Sequence, residues 1–162
     1  MFQDTIAAIA TADAMGAISV IRISGSDAIQ IVTDLTGKDL SDAKGYTIHY
    51  ATIKEGNESV DEVLVSLFRA PKSYTGEDVV EISCHGGVYI TRKVLSLILG
   101  AGARMARRGE FTERAFLSGK MDLSQAEGIN DLIWAKDEIN AKSAIHSLKG
   151  SVAKLMRPLE ED

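Results

Sequence analysis

The sequence has very little cysteine and no long apolar run. Cys84 is the only thiol among 162 residues, so the chain cannot build a disulfide framework or a cysteine zinc cluster, and a reducing cytoplasm is its expected location. No run approaches the roughly 18 apolar residues of a membrane span, and no basic stretch precedes the apolar N-terminus as in a secretory signal. Because the three histidines (His49, His85 and His146) lack helical i, i+4 spacing, we expect no metal site.

A nucleotide-triphosphate motif is also missing. Gly-Lys pairs begin at Gly37 and Gly119, but the glycine that a P-loop needs at the earlier position is replaced by Val32 and Arg114, respectively. Met121 also stands where the motif requires Ser or Thr. We therefore expect that this chain on its own does not hydrolyse GTP or ATP.

The overall composition is that of a globular protein, with 45% hydrophobic and 25% charged residues. The net charge of −5 argues against a chain that binds nucleic acid over its whole surface. Basic side chains are nevertheless concentrated between residues 101 and 120. This segment could contact phosphates of RNA or carboxylates of a small molecule, or it could be a solvated helix surface that pairs with Glu110 and Glu113.

Strand and helix signals alternate up to residue 106, and helix signals dominate from Gly109 onward. The β-branched runs predict strands at 4–10, 17–24, 46–54, 60–70, 78–84 and 103–106. The third and fourth are expected to form an antiparallel hairpin with "EGNES" as its five-residue loop. Helices are predicted at 28–35, 86–102 and 110–119, and a capping box of Asp122 and Gln125 opens a long final helix. An apolar seam on that helix needs a partner helix; it consists of Ile145, Leu148, Val152, Leu155 and Leu159.

Two charged residues lie inside otherwise apolar strands. Strand alternation places Glu81 on the face opposite Ile82 and its buried neighbours, and it places Arg22 in the same way in "SVIRIS". A carboxylate suits a planar pair of N–H donors, such as a guanidinium or the edge of a pterin or guanine, and an arginine suits a carboxylate or phosphate. The two residues could equally pair with each other and bind nothing.

The turn "CHGG" at 84–87 and Lys120 are weaker candidates. Cys84 and His85 are adjacent, but strand neighbours point to opposite faces and no third group is evident to orient them, so we do not expect a nucleophile here. The two glycines are expected to allow close packing or a positive φ. Lys120 follows Gly119 at a junction between two helices, a position from which it could reach a cleft.

Three sequence blocks, taken together and in order, resemble the N-terminal region of the tRNA-modification GTPase family called MnmE or TrmE. The likeness runs from about residue 4 to about residue 150. The blocks are "DTIAAIAT" with "GAISVIRISG", then "SYTGEDVVEISCHGG", then "ARRGEFTERAFLSGKMDLSQAEGINDLI".

The resemblance implies a fold, a cofactor and partners. It implies an α+β domain at 1–119, a mixed β-sheet with flanking helices similar to the folate-binding domain of aminomethyltransferases, followed by a truncated helical segment at 120–162. It also implies a homodimer that binds 5-formyltetrahydrofolate or another one-carbon tetrahydrofolate, as part of an enzyme that modifies C5 of the wobble uridine. GTP, Mg²⁺, K⁺, tRNA and the flavoprotein MnmG belong to the full-length family protein, whose GTPase domain this sequence lacks, and no membrane is involved.

By position, the family's folate-contacting residues fall on Arg22, Glu81 and Lys120. Glu81 would accept from the N–H pair of the pterin, while Arg22 and Lys120 would meet polar or carboxylate parts of the ligand. No catalytic residue is implied for this chain alone. Two alternatives remain: a stand-alone folate-dependent aminomethyl or formyl transferase, with His85 or Asp78 as the base, and a purely structural dimerisation module in which Arg22 and Glu81 form an ion pair. A third, direct tRNA binding by this chain alone, is disfavoured by the net charge of −5, although the segment at 104–120 could contribute phosphate contacts.

Overall fold

The computed structural model describes residues 4–11 and 16–133. The apolar seam predicted at 145–159 and most of the segment predicted at 120–162 lie outside these residues. The chain divides into two compact units, Met1–Arg108 and Gly109–Asp162, so the change to helix signals at Gly109 coincides with the division. The domain boundary predicted at 119/120 stays a prediction.

The first unit is α+β and contains six strands and two helices in its described part, which confirms the predicted fold class and element order. The strands are β1 (Ile6–Ile9), β2 (Ile18–Ser24), β3 (Thr47–Glu55), β4 (Glu58–Phe68), β5 (Val79–His85) and β6 (Arg104–Met105). The helices are α1 (Ala28–Thr36), which ends at Gly37 with φ 70°, and α2 (Val88–Gly100).

All six strands form one mixed sheet in the order β3-β4-β5-β2-β1-β6. Each neighbouring pair is antiparallel except β1 and β6, which are parallel. The β3–β4 hairpin is confirmed, but the prediction of a loop spanning "EGNES" is wrong, since only Gly56 and Asn57 separate the strands. Gly56 has φ 61°, the positive value that lets a two-residue loop close a hairpin.

The two helices of the first unit pack with one face of the sheet in a single hydrophobic core. On β2 and β5 this face carries the residues that alternation predicted to be inside, and all of them are fully or almost fully buried: Ile21, Ile23, Val80, Ile82 and Cys84. Burying a large aliphatic side chain contributes about 1.5–3 kcal/mol, so these residues stabilise the unit as part of its core. The opposite face is called the open face below.

The second unit begins with α3 (Glu110–Leu117) and α4 (Leu123–Ile133). The predicted capping box is confirmed, because the amide of Gln125 donates to Asp122 Oδ1 (2.8 Å) and the amide of Asp122 donates to Gln125 Oε1 (2.9 Å). These two bonds satisfy amide donors that a helix start leaves without a helical partner.

Candidate functional site

The open face carries a row of directly opposed residues that crosses five strands. Strand pairing places Arg22 opposite Ala8 on one side and opposite Glu81 on the other. Glu81 is in turn opposite Ser66, and Ser66 is opposite Ile48. Since opposed residues in a sheet point to the same side, the two charged residues predicted from the sequence lie side by side on the open face.

Arg22 and Glu81 form an ion pair on this face. Arg22 Nη2 lies 3.7 Å from Glu81 Oε2, and the two side chains are 26% and 27% exposed, respectively. The separation is longer than a hydrogen bond, so the carboxylate can accept hydrogen bonds from a ligand without first giving up one to this nitrogen. The two residues thus pair with each other, which the sequence had given as one possibility, and both side chains remain accessible to solvent.

Tyr74 also lies close to Arg22, and sequence reasoning missed it. The Arg22 guanidinium carbon lies 5.2 Å from the centroid of the Tyr74 ring, within the range of a cation–π interaction. Tyr74 belongs to the segment that links β4 to β5, where the sequence reads only as a loop. It stands in the block "SYTGEDVVEISCHGG", but no periodicity in that block indicates a contact with β2.

Lys120 is described within the second unit. Its backbone amide donates to the carbonyl of Ala115 (2.8 Å), Gly119 before it has φ 79°, and the residue is exposed. The glycine thus ends α3 in the left-handed conformation, as the sequence indicated. That Lys120 contacts the same ligand as Arg22 and Glu81 stays a prediction.

The "CHGG" turn has features that exclude a thiol nucleophile. Burial and the nearby Asp61 carboxylate raise the pKa of Cys84 to about 12, so its reactive thiolate is scarce at neutral pH. His85 is exposed, with Nδ1 2.6 Å from Asp61 Oδ1, and its backbone amide donates to Asp61 Oδ2 (2.9 Å). The Asp61 carboxylate therefore contacts both the backbone at the end of β5 and the imidazole of His85. Asp78, the other base considered, accepts a hydrogen bond from the amide of Ala70 (2.8 Å).

The basic segment is not one continuous exposed patch. Arg104 pairs with Asp4 at 2.7 Å, and Arg114 is almost fully buried together with Glu110, at 3.7 Å. Arg114 is therefore unsuited to contact RNA phosphates. Within 4–11 and 16–133, no group of three or more His, Cys, Asp or Glu side chains is arranged to hold a metal ion. The helices of that same part of the chain are all too short or too polar to cross a bilayer.

Comparison with known proteins identifies the family. The family model described as GTP-binding protein TrmE N-terminus matches residues 5–120. This chain belongs to that family. The matched range contains Arg22, Glu81 and Lys120, and the resemblance noted in the sequence blocks is confirmed.

Relatives of this TrmE N-terminal chain carry the name tRNA modification GTPase MnmE. The protein of Lactiplantibacillus plantarum is 52% identical over 162 residues, that of Pediococcus pentosaceus 51% over 163, and that of Bacillus cytotoxicus 49% over 162. Each alignment covers 98% of this chain but 35% of the relative. The chain thus spans about a third of the length of the curated relatives it matches.

Proposed function

We propose that this chain is the one-carbon tetrahydrofolate-binding and homodimerisation part of a cytoplasmic GTPase that modifies C5 of the wobble uridine in tRNA. Membership of the TrmE N-terminal family and the names of the relatives support the role in tRNA modification. The observation that carries the folate proposal is the Arg22–Glu81 pair on the open face.

The chemistry of Glu81 fits a reduced pterin. Its carboxylate offers two acceptors in one plane, and a pterin presents an N–H and an amino group side by side, so the contact is bidentate and charge-assisted. The side chain is about a quarter exposed, which leaves it accessible and partly shielded from competing water. Residues on the core face of β5, such as Ile82, could provide no such contact.

Arg22 and Lys120 are the proposed cationic partners of the same ligand. A guanidinium and an ammonium suit the carbonyl and carboxylate oxygens of a folate, which carries no positive counterpart of its own. When bound, the folate supplies the one-carbon unit. GTP with Mg²⁺ and K⁺, the flavoprotein MnmG and tRNA are proposed partners of the longer family protein.

The open face also supports the proposed homodimer. Large apolar side chains lie on it where β3 and β4 pair, and Ile48, Tyr50 and Leu64 are 68%, 58% and 47% exposed. In the first unit the described helices pack on the other face. A patch of this kind marks an interface more often than a solvated surface, and a second copy of this chain is the proposed occupant.

Calorimetric titration with 5-formyltetrahydrofolate tests the folate proposal. We expect the full chain to bind, Glu81→Ala to abolish measurable binding, and Glu58→Ala to bind like the wild type. Glu58 is a matched control because it is an exposed strand glutamate at the far end of the β3–β4 hairpin. Equal binding by Glu81→Ala and the wild type would refute the placement of the pterin, and a wild type that binds nothing would favour the purely structural module.

A further inference from the structure

The segment between β4 and β5 is fastened to the end of β2 by buried hydroxyl groups. Ser24 Oγ lies 2.7 Å from Thr75 Oγ1, and both residues are fully buried. Ser24 Oγ also donates to Glu77 Oε1 at 2.9 Å. Since a serine hydroxyl has one proton, the Thr75 hydroxyl must donate to Ser24. The three side chains therefore form a directed chain of hydrogen bonds from the loop to the strand and back.

This anchoring fixes where Tyr74 lies. Tyr74 immediately precedes Thr75, while Arg22 and Ser24 are two residues apart on β2 and so share the open face. The anchored loop places the Tyr74 ring 5.2 Å from the guanidinium carbon of Arg22. Arg22 therefore lies near both the Tyr74 ring and the Glu81 carboxylate, which is 3.7 Å from its Nη2.

We propose that Tyr74 is a positioning residue of the folate site, which holds the Arg22 guanidinium beside the pterin rather than beside the glutamate tail. The inference rests on the proposed function. If Glu81 accepts from the pterin N–H pair, Arg22 lies at the same end of the ligand, because its Nη2 is 3.7 Å from Glu81. The carboxylates of the tail lie beyond the p-aminobenzoyl ring and are contacted elsewhere.

The ring of Tyr74, rather than its hydroxyl, carries this role. A cation–π contact uses the face of the ring, which phenylalanine retains and leucine lacks. Tyr74 is 37% exposed, so its replacement leaves the core intact, and the chain should fold. Thr75→Val removes the hydroxyl that donates to Ser24 while keeping the branched shape, so it loosens the loop without touching Arg22.

Titration of the full chain with two ligands tests the proposal. The ligands are 5-formyltetrahydrofolate and 5-formyltetrahydropteroate, which lacks the glutamate. We expect Tyr74→Leu to weaken binding of both by the same factor, about three- to fivefold. Thr75→Val should act in the same direction, and Tyr74→Phe should bind like the wild type. Tyr89→Leu, which alters an exposed tyrosine on α2, is the matched control and should have no effect.

The outcomes separate this inference from the proposed function. Wild-type protein that binds neither ligand refutes the proposed function itself. Wild-type binding together with unchanged affinity in Tyr74→Leu and Thr75→Val overturns only the role of Tyr74. A loss confined to the ligand that carries glutamate would place Arg22 at the tail and overturn the assignment to the pterin. Failure of Tyr74→Phe to retain affinity would show that the hydroxyl matters instead of the ring.

Discussion

A Cβ atom built on Gly86 would lie 1.4 Å from the carbonyl oxygen of Gly16. The backbone at Gly86 also donates to the carbonyl of Ala17 (2.8 Å), so the turn after β5 is pressed against the start of β2. A Cβ atom added to the neighbouring Gly87 would meet nothing within 4 Å, but Gly87 has φ 133°. The two reasons for glycine proposed from "CHGG", close packing and positive φ, thus apply to separate residues.

Gly86→Ala is therefore expected to destabilise the chain strongly. Backbone atoms must move to admit the methyl group, and we expect a loss of at least about 2 kcal/mol in the free energy of unfolding, measured by urea denaturation. Gly100→Ala is the control, since a Cβ added to Gly100 at the end of α2 would meet no neighbouring group within 4 Å and Gly100 has no positive φ. This variant should be neutral or stabilising. Equal midpoints for Gly86→Ala and the wild type would refute the close approach.

The Arg22–Glu81 pair is expected to contribute little to stability. Both side chains are about a quarter exposed and 3.7 Å apart, so solvent screens their attraction. A double-mutant cycle of Arg22→Gln and Glu81→Gln should give a coupling energy of about 0.5 kcal/mol that falls with added salt. A coupling above about 2 kcal/mol that persists in high salt would support the structural-module alternative.

Cys84 is expected to be unreactive in the folded protein. Its pKa of about 12 leaves almost no thiolate at pH 8, and its side chain is buried. Labelling with a disulfide reagent should be slow in buffer and fast in urea, with Cys84→Ala as the blank. Rapid labelling without urea would contradict the burial.

The raised pKa of Cys84 also predicts a pH dependence of stability. Because the thiol of the unfolded chain ionises near pH 9 and that of the folded chain does not, the free energy of unfolding should fall as pH rises above about 9.

The open face is expected to mediate self-association. Tyr50→Asp and Leu64→Asp place a charge on the exposed patch where β3 and β4 pair, and each should shift the chain from dimer to monomer in sedimentation equilibrium. Tyr89→Asp is the control, because Tyr89 is 75% exposed on α2. If the wild type is a monomer, or if only the control dissociates, this surface is not the interface.

Strand periodicity predicted the strands of the first unit and the orientation of its two charged strand residues, whereas the α+β fold class came from the resemblance. Alternation in "SVIRIS" and "VVEISC" placed Arg22 and Glu81 away from the core, because each is flanked by residues that must be buried. Their mutual contact could not be predicted, since the pairing of β2 with β5 depends on the order of the whole sheet. Sequence patterns carry face information along a strand but no information about which strand lies beside it.

Tyr74, which sequence reasoning missed, owes its position to side-chain hydrogen bonds between distant segments. Tyr74 reaches Arg22 because buried Ser24 and Thr75 join a loop to a strand, and loops have no periodicity that would indicate such a contact.

The length of the loop between β3 and β4 was mispredicted for a different reason. Polar residues such as Glu55 and Glu58 are typical of loops, but here they extend the two strands to the turn.

The parallel pairing of β1 with β6 has a consequence for synthesis of the chain. Ile6 pairs with Arg104, and the carboxylate of Asp4 binds the Arg104 guanidinium. During translation, β1 can pair with β2 soon after both leave the ribosome, but its second edge must wait for nearly the whole first unit to emerge. The nascent chain therefore carries an incomplete sheet edge until Arg104 arrives. This edge of β1 is paired only after Arg104 and Met105 have left the ribosome.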